Sequence, residues 1–347
     1  MLKLSSKKTD RTAIVTGAGG FIGSHFTRFL KEKGYFVIGI DVKAPEFSVS
    51  CADQFILADL RDIKSANQYI RHCNELYMFA ANMGGIGYIE RIHALVMRDN
   101  VMINANCLEA ARLNGVNKVF FASSACVYPL FKQKSAKFNS GLSEKDVYPA
   151  QPEPGYGWEK LFSENMCLAY ARDYGLYIRI ARFHNIYGPE STYKGGKEKS
   201  PAAICRKIAQ ASKNDLIEIW GDGRQVRSYC YIKDCCDGVF RLMHSNCDFP
   251  LNIGSSEKIS INSLAKMIAS IAGKEIKIKH RLDGPQGVRG RSSNNTLIRR
   301  TLGWEPTVPL KVGMKENYLW VQKQIERDRF KRKLKETDNK KVGISIK

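Results

Sequence analysis

No stretch of the chain approaches the roughly 20 consecutive apolar residues that a membrane-crossing helix requires, so no spanning segment and no membrane partner are expected. The first residues, Met1 to Arg11, are polar and basic and lack the apolar run of a secretory signal, which leads to the expectation of a cytoplasmic protein. The ten cysteines form no CxxC pair, and Cys235 and Cys236 are adjacent, a poor spacing for gripping one ion. Structural zinc is therefore not expected, nor any other metal site. Without an export signal most of these thiols should stay reduced and pack as small apolar side chains. Internal repeats and low-complexity linkers are missing as well. Acidic residues are in short supply: 34 Asp and Glu face 55 Lys and Arg, a net charge of +21. Such a surplus suits nucleic acid, an anionic substrate such as a diphosphate, or no specific partner. The basic residues do not interleave with aromatics in one block and no nucleic-acid-binding motif occurs, so nucleic acid is not expected as a partner.

What is present is a chain of 347 residues, 44% apolar, long enough for two domains or one core domain with a large lobe. TAIVT (Thr12 to Thr16) reads as a short buried strand, followed by a glycine loop and a helical pattern to about Lys33. Tyr35 to Ile40, Gln54 to Leu57, Glu75 to Ala80, Lys118 to Ser123 and Tyr177 to Arg182 read as further strands. Helical spacing runs over Asn100 to Asn114, which ends at Gly115, and over Tyr156 to Tyr174. Strand alternating with helix in this order predicts an α/β fold, a doubly wound parallel sheet of the Rossmann type. After about Gly188 the pattern changes to loops rich in Gly, Pro and charge, with amphipathic helices around Pro201 to Lys213 and Ile261 to Ala272. This predicts a smaller α/β lobe that closes over a ligand. From about Glu326 the chain is charged and poor in apolar residues, which predicts a frayed helix end and a disordered tail over 326–347.

Gly17-Ala18-Gly19-Gly20-Phe21-Ile22-Gly23 joins the first strand to the first helix, with Gly17, Gly20 and Gly23 in GxxGxxG spacing. Glycines there permit a tight turn and close approach of backbone to a pyrophosphate, which then meets the free N–H groups and positive dipole end of a helix. Asp41 closes the second strand, 18 residues past Gly23. A carboxylate at that point can bond both hydroxyls of an adenosine ribose and would repel a 2′-phosphate, so the expected cofactor is NAD rather than NADP. Asp59, after the third strand, could reach the adenine edge. The expected division is an NAD-binding domain over 1–187 with a returning segment at about 229–254, and a substrate lobe over 188–325, chiefly 188–228 and 255–325.

Tyr156 and Lys160 form a YxxxK pair, which a helix places on one face. The lysine ammonium can lower the tyrosine from its usual value of about 10, and a tyrosinate can take a proton from a sugar hydroxyl. Ser123-Ser124, at a strand end, supplies the helper hydroxyl.

These motifs are joined by more specific ones: AANMGGIG from Ala80, ASSACVYP from Ala122, RFHNIYGP from Arg182, KGGKEKSPAAICRK from Lys194, WGDGRQVRS from Trp220 and GPQGVRGR from Gly284. On them the chain, to about residue 325, resembles the GDP-mannose 3,5-epimerases, which are extended short-chain dehydrogenases. It departs from their pattern at Tyr229-Cys230-Tyr231 and at its basic ends. The resemblance implies an isomerase that converts GDP-D-mannose to GDP-L-galactose and GDP-L-gulose. Tyr156, with Lys160 and Ser124, would oxidise carbon 4 against NAD. The new ketone would acidify carbons 3 and 5, and Cys126 and Lys199 would exchange protons there before carbon 4 is reduced again. Sugar-nucleotide 4,6-dehydratases carry Thr-Asp-Glu where this chain has Ser124-Ala125-Cys126, and UDP-galactose 4-epimerases carry Thr in place of Cys126.

The same resemblance implies substrate contacts. Gly85, Ser124, Ala125, Cys126, Glu198, Lys199 and Ser200 would border the sugar. Asn185, Lys207, Gln225, Arg227 and Arg289 would hold sugar, diphosphate or guanine; Arg suits bidentate contact with such anions. His184 is read as a packed strand residue. A homodimer is implied too, through the helices over Asn100 to Asn114 and Tyr156 to Tyr174. Two other readings stay open at this point: a related GDP-hexose or GDP-heptose 4-oxidoreductase or epimerase, and a non-catalytic NAD- or RNA-binding scaffold on the same fold.

Overall fold

The computed structural model of the protein describes residues 11–135, 141–212 and 214–342. Lys213, the expected end of a lobe helix, and the basic residues 1–10 lie outside the described residues. In chain order the first strands are β1 (Thr12–Thr16), β2 (Phe36–Asp41), β3 (Gln54–Leu57), β4 (Glu75–Met78), β5 (Lys118–Ser124) and β6 (Tyr177–Phe183). Ala13, Ile14 and Val15 of β1 have no exposed surface. A strand apolar on both sides belongs in the middle of a sheet covered on both faces, and β1 is there. The seven-stranded sheet runs Leu251–Ile253, β6, β5, β4, β1, β2, β3. Every neighbouring pair is parallel, with Val15 opposite Gly39 on one side and Tyr77 on the other. The chain thus forms the expected doubly wound parallel sheet. Its order reverses at β1, and the crevice between the carboxyl ends of β1 and β4 is where such sheets bind ligands.

Each face of the sheet carries its own core. Helix α1 (Phe21–Glu32) buries Gly23, Phe26, Thr27 and Leu30, the i, i+3, i+4, i+7 stripe of an amphipathic helix. The Phe26 ring meets Tyr77 at 4.5 Å and Phe79 at 5.2 Å, and Phe79, Phe120 and Phe183 continue that aromatic layer. On the opposite face, Cys107, Leu108, Ala111 and Cys167 from two long helices pack on Ile14, Leu76, Phe121, Ile178 and Ile180. Burying each large apolar side chain is worth about 1.5–3 kcal/mol. The first of these helices spans His93–Leu113, starting seven residues before the expected Asn100. Its N-cap is Ile92, which has no side-chain oxygen to offer, so nothing in the sequence marks the start. The second spans Tyr156–Tyr174 and ends on Gly175, left-handed at φ +70°. All ten cysteines are free thiols and eight are buried, as their bland reading required.

Past β6 the chain builds smaller sheets. Val226–Ser228 pairs antiparallel with Lys258–Ser260 and parallel with Gly290–Arg291, while Leu216–Trp220 pairs parallel with Lys277–Arg281. The helices Ser200–Gln210 and Ile261–Ile271 share one apolar cluster with Ile217 and Ile219 of these strands. The expected tail needs correction. A single helix runs Leu310–Val342, straight through Glu326. Tyr318, Val321 and Ile325 anchor it in the core, and Glu, Lys and Arg, good helix formers, carry it on past Glu326. Residues 343–347 of that expectation lie outside the described residues. No described helix is long and apolar enough to cross a membrane.

Candidate active site

A cleft of about 580 Å³ opens at the sheet crevice. Its floor is the loop after β1. Gly17 sits at φ +73°, and a Cβ there would come within 2.7 Å of the Ala80 nitrogen. A Cβ on Gly23 would stand 2.1 Å from the Gly17 oxygen, so helix and loop touch backbone to backbone. Gly20 caps α1 without a side-chain hydrogen bond, which leaves the first N–H groups of the helix facing the cleft. Gly17, Gly20, Phe21, Ile22, Gly23, Asp41 and Asp59 all line it. The Asp41 carboxylate accepts from the Gly19 N–H at 2.9 Å and the Lys43 N–H at 3.2 Å, holding the loop in shape; burial pushes its carboxyl up against those bonds. Asp59 is clamped by Arg61 (2.6 Å), which holds its carboxyl below the usual range. A narrow glycine cradle, an open helix N-terminus and an acid at the end of β2 together fit a dinucleotide.

The opposite wall carries the YxxxK helix. Ser124, Tyr156, Lys160 and Lys199 line the same cleft. Tyr156 is buried and lines the cleft with Ser124. Its phenol is pushed up by burial, then by Cys126 and Glu159, and Ser124 pulls the other way. The expected lowering by Lys160 is outweighed here by burial. The Lys160 ammonium lies 5.6 Å from the Tyr156 ring centre and 4.9 Å from that of Phe121, next to the carboxylate of Glu159. Lys199 caps the helix Ser200–Gln210; burial pulls its ammonium down and Cys126 opposes that.

Cys126 and Ala125 do not line the cleft. The short turn Ala125–Val127, capped by the Ser124 hydroxyl accepting from the Cys126 N–H, tucks the thiol inward. It packs with Val96 and Tyr156, and burial pushes it up to about 11. Asn185, at φ +45°, lines the cleft and donates to the Ser228 carbonyl. Gly85 meets the loop before the helix Ser200–Gln210 by backbone: its N–H donates to the Lys197 carbonyl at 2.9 Å, and a Cβ would strike the Glu198 oxygen at 2.4 Å.

The remaining expected substrate residues stand outside the cleft with protein partners. Ser200 bonds the Tyr229 hydroxyl, Glu198 pairs with Arg206, and Lys207 donates to the Glu218 carbonyl. Gln225 donates to Trp220 and Arg227 to Val226, each through a backbone carbonyl. Arg289 grips Asp222 with both Nη atoms and pulls that carboxyl down to about 2. The structure therefore brings together the cofactor residues, Ser124, Tyr156, Lys160, Lys199 and Asn185, and leaves these six apart. His184 is fully buried, bonded to Asn252, and lowered by burial to about 3, as a packed residue would be.

Comparison with known proteins decides the family. The model of the family described as "NAD dependent epimerase/dehydratase" matches residues 13–254. The chain belongs to the NAD dependent epimerase/dehydratase family. It is 48% identical over 317 residues to GDP-mannose 3,5-epimerase 1 of Oryza sativa subsp. indica, covering 91% of this chain and 82% of that protein. It is 47% identical over 319 residues to GDP-mannose 3,5-epimerase of Arabidopsis thaliana, covering 91% and 84%. Among solved structures, UDP-glucose 4-epimerase with UDP-glucose from Thermotoga maritima superposes with a TM-score of 0.80 at 26% identity, covering 90% of this chain and 99% of that one. The motif-based resemblance thus extends over most of the chain. As in the family's description, the cofactor is NAD.

Two residues of this family member escaped the sequence reading. Arg291 and Glu153 form a 2.6 Å ion pair, 8% and 12% exposed in their side chains, directly against Cys126. The signal lay in GPQGVRGR, where Arg291 follows Arg289 by two and closes the segment. Only tertiary folding brings Glu153 to it. Among the described residues no group of three or more His, Cys, Asp or Glu could hold a metal ion.

Proposed function

We propose that this protein is a GDP-mannose 3,5-epimerase, an NAD-dependent isomerase that converts GDP-D-mannose to GDP-L-galactose and GDP-L-gulose. One observation carries the reading: Ser124, Tyr156 and Cys126 converge on one another beside a glycine-cradled cleft that Lys199 also faces. The near-half identity to proteins of that name supports it. Bound NAD, held by the Gly17 to Gly23 loop and Asp41, would supply the oxidant and then the reductant for carbon 4 and a positive charge that favours tyrosinate. Tyr156, steadied by Ser124, takes the carbon 4 hydroxyl proton and later returns it. The ketone between carbons 3 and 5 makes their hydrogens acidic, because each carbanion becomes an enolate. Cys126 and Lys199 remove and replace those protons. Burial shifts both toward their neutral forms, a thiol able to donate and an amine able to accept. In this reading Gly85 borders the sugar from its backbone contact, and Glu198 and Ser200 flank Lys199. Lys207, Gln225, Arg227 and Arg289 exchange their present protein partners for the anionic nucleotide. The test is incubation with GDP-mannose in heavy water. Deuterium should enter at carbons 3 and 5 alone, and label elsewhere on the sugar or none at all would overturn the assignment.

The protein is further proposed to work as a homodimer in the cytoplasm. Trp158 and Phe162, four residues apart, stand exposed on the helix Tyr156–Tyr174, and Leu95 and Met102, seven apart, on the neighbouring helix His93–Leu113. Two such helices from each copy can bury these faces as a four-helix bundle. Light scattering at micromolar concentration should give twice the chain mass of 39.1 kDa, and a monomer would refute the dimer.

A further inference from the structure

Cys126 touches two charged side chains that the mechanism above does not use. The Arg291 guanidinium is held at three points: Nε donates to Gln133 Oε1 at 2.7 Å, Nη2 to Glu153 Oε1 at 2.6 Å, and Nη1 reaches Cys126 Sγ at 3.4 Å. Gln133 is itself fixed, donating to the Tyr128 carbonyl at 2.9 Å. The Glu153 carboxylate is held beside the Cys126 thiol by Arg291, and its backbone N–H donates to the Cys126 carbonyl at 3.0 Å. A planar fork of donors held at three points has no rotational freedom left. It presents a fixed positive edge to the sulfur, with a fixed negative group alongside.

We propose that Arg291 and Glu153 are positioning residues for Cys126, Arg291 fixing a positive edge and Glu153 a negative group against its sulfur. This rests on the acid/base role given to Cys126. Their printed bonds run to each other, to Gln133 and to Cys126, so they act on the reaction through Cys126. Burial and Glu153 raise the thiol, while Arg291 and the Ser124 bond lower it. The other charged or titratable groups facing Cys126 are Tyr156, Lys199 and Arg227. They are common to all variants below, so differences among variants report Arg291 and Glu153.

The experiment measures iodoacetamide alkylation of Cys126 in the NAD-loaded enzyme against pH, read by mass spectrometry on the Cys126 peptide. A neighbouring opposite charge moves a titration by about one to three units. At a fixed pH below the midpoint, Arg291→Gln should therefore slow alkylation about tenfold or more, and Glu153→Gln should speed it by a similar factor. Arg291→Lys keeps the charge but cannot hold three partners. It should restore most of the alkylation rate while deuterium exchange stays down about 10²-fold at unchanged KM, the size of effect that small misplacement causes. Shifts in the same direction for Arg291→Gln and Glu153→Gln, or no shift in either, would overturn the proposal. Wild-type exchange in Cys126→Ala would instead sink the acid/base reading beneath it, whatever the alkylation profile.

Discussion

Tyr156→Phe is expected to stop turnover altogether: no reduced cofactor forms with GDP-mannose and no deuterium enters from heavy water at carbon 3 or carbon 5. The reason is order. Carbons 3 and 5 become acidic only once carbon 4 is a ketone, and that ketone requires removal of the hydroxyl proton. Tyr156 is a buried hydroxyl lining the cleft with Ser124, and phenylalanine keeps its ring against Val96 and Cys126 while deleting the oxygen. The variant should fold and bind nucleotide as before. Thermal melting checks the first point and retention of NAD on gel filtration the second. Residual exchange above about a hundredth of the wild-type rate would mean that another group takes the proton, since a general base is worth about 10²- to 10⁴-fold.

Cys126→Ala and Lys199→Ala should behave differently from Tyr156→Phe and like each other. Each still binds GDP-mannose and forms reduced cofactor, because Tyr156, Ser124 and Lys160 are intact and can address carbon 4. Each should lose about 10²- to 10⁴-fold in solvent exchange, because inversion needs a proton donor and a proton acceptor on opposite faces of the ring. The geometry suits that division. Cys126 follows Ser124 by two residues in the sheet domain, while Lys199 starts a helix of the other lobe, and the two sense each other's charge. Simultaneous mass spectrometry of the sugar and absorbance of the cofactor would separate the two half-processes. If Cys126→Ala exchanges deuterium at the wild-type rate, the thiol is packing only and the two-group scheme is wrong for this protein.

The sheet and the cofactor cradle were legible because their signals are local. A strand buried on both faces has to be apolar throughout, and a loop that presses backbone against backbone has to be glycine, so TAIVTGAGGFIG carries its geometry within itself. The YxxxK pair is equally local, being one face of one helix. What escaped depends on distance along the chain. Glu153 and Arg291 are 138 residues apart and acquire meaning only where they meet at Cys126. The start of the helix at His93 was invisible because Ile92 supplies no cap. The short strands of the smaller lobe, two to five residues each, are too brief for alternation to declare itself. The direction of the Tyr156 shift was misjudged for a further reason: a motif gives neighbours along a helix, but burial is a property of the whole fold.

The last strand of the central sheet, Leu251–Ile253, lies far along the chain from its partner β6, with most of one small-lobe unit between them. During synthesis, β6 must therefore wait with an unsatisfied edge while the ribosome adds the intervening residues, and such an edge invites pairing with other chains. Distant parallel pairings of this kind are also slow to form, because a long loop has to close before any ladder bond rewards it. Completion of the nucleotide fold is gated by a segment made late, so a stalled or truncated nascent chain ending before Leu251 would display an open sticky ladder rather than a finished first domain.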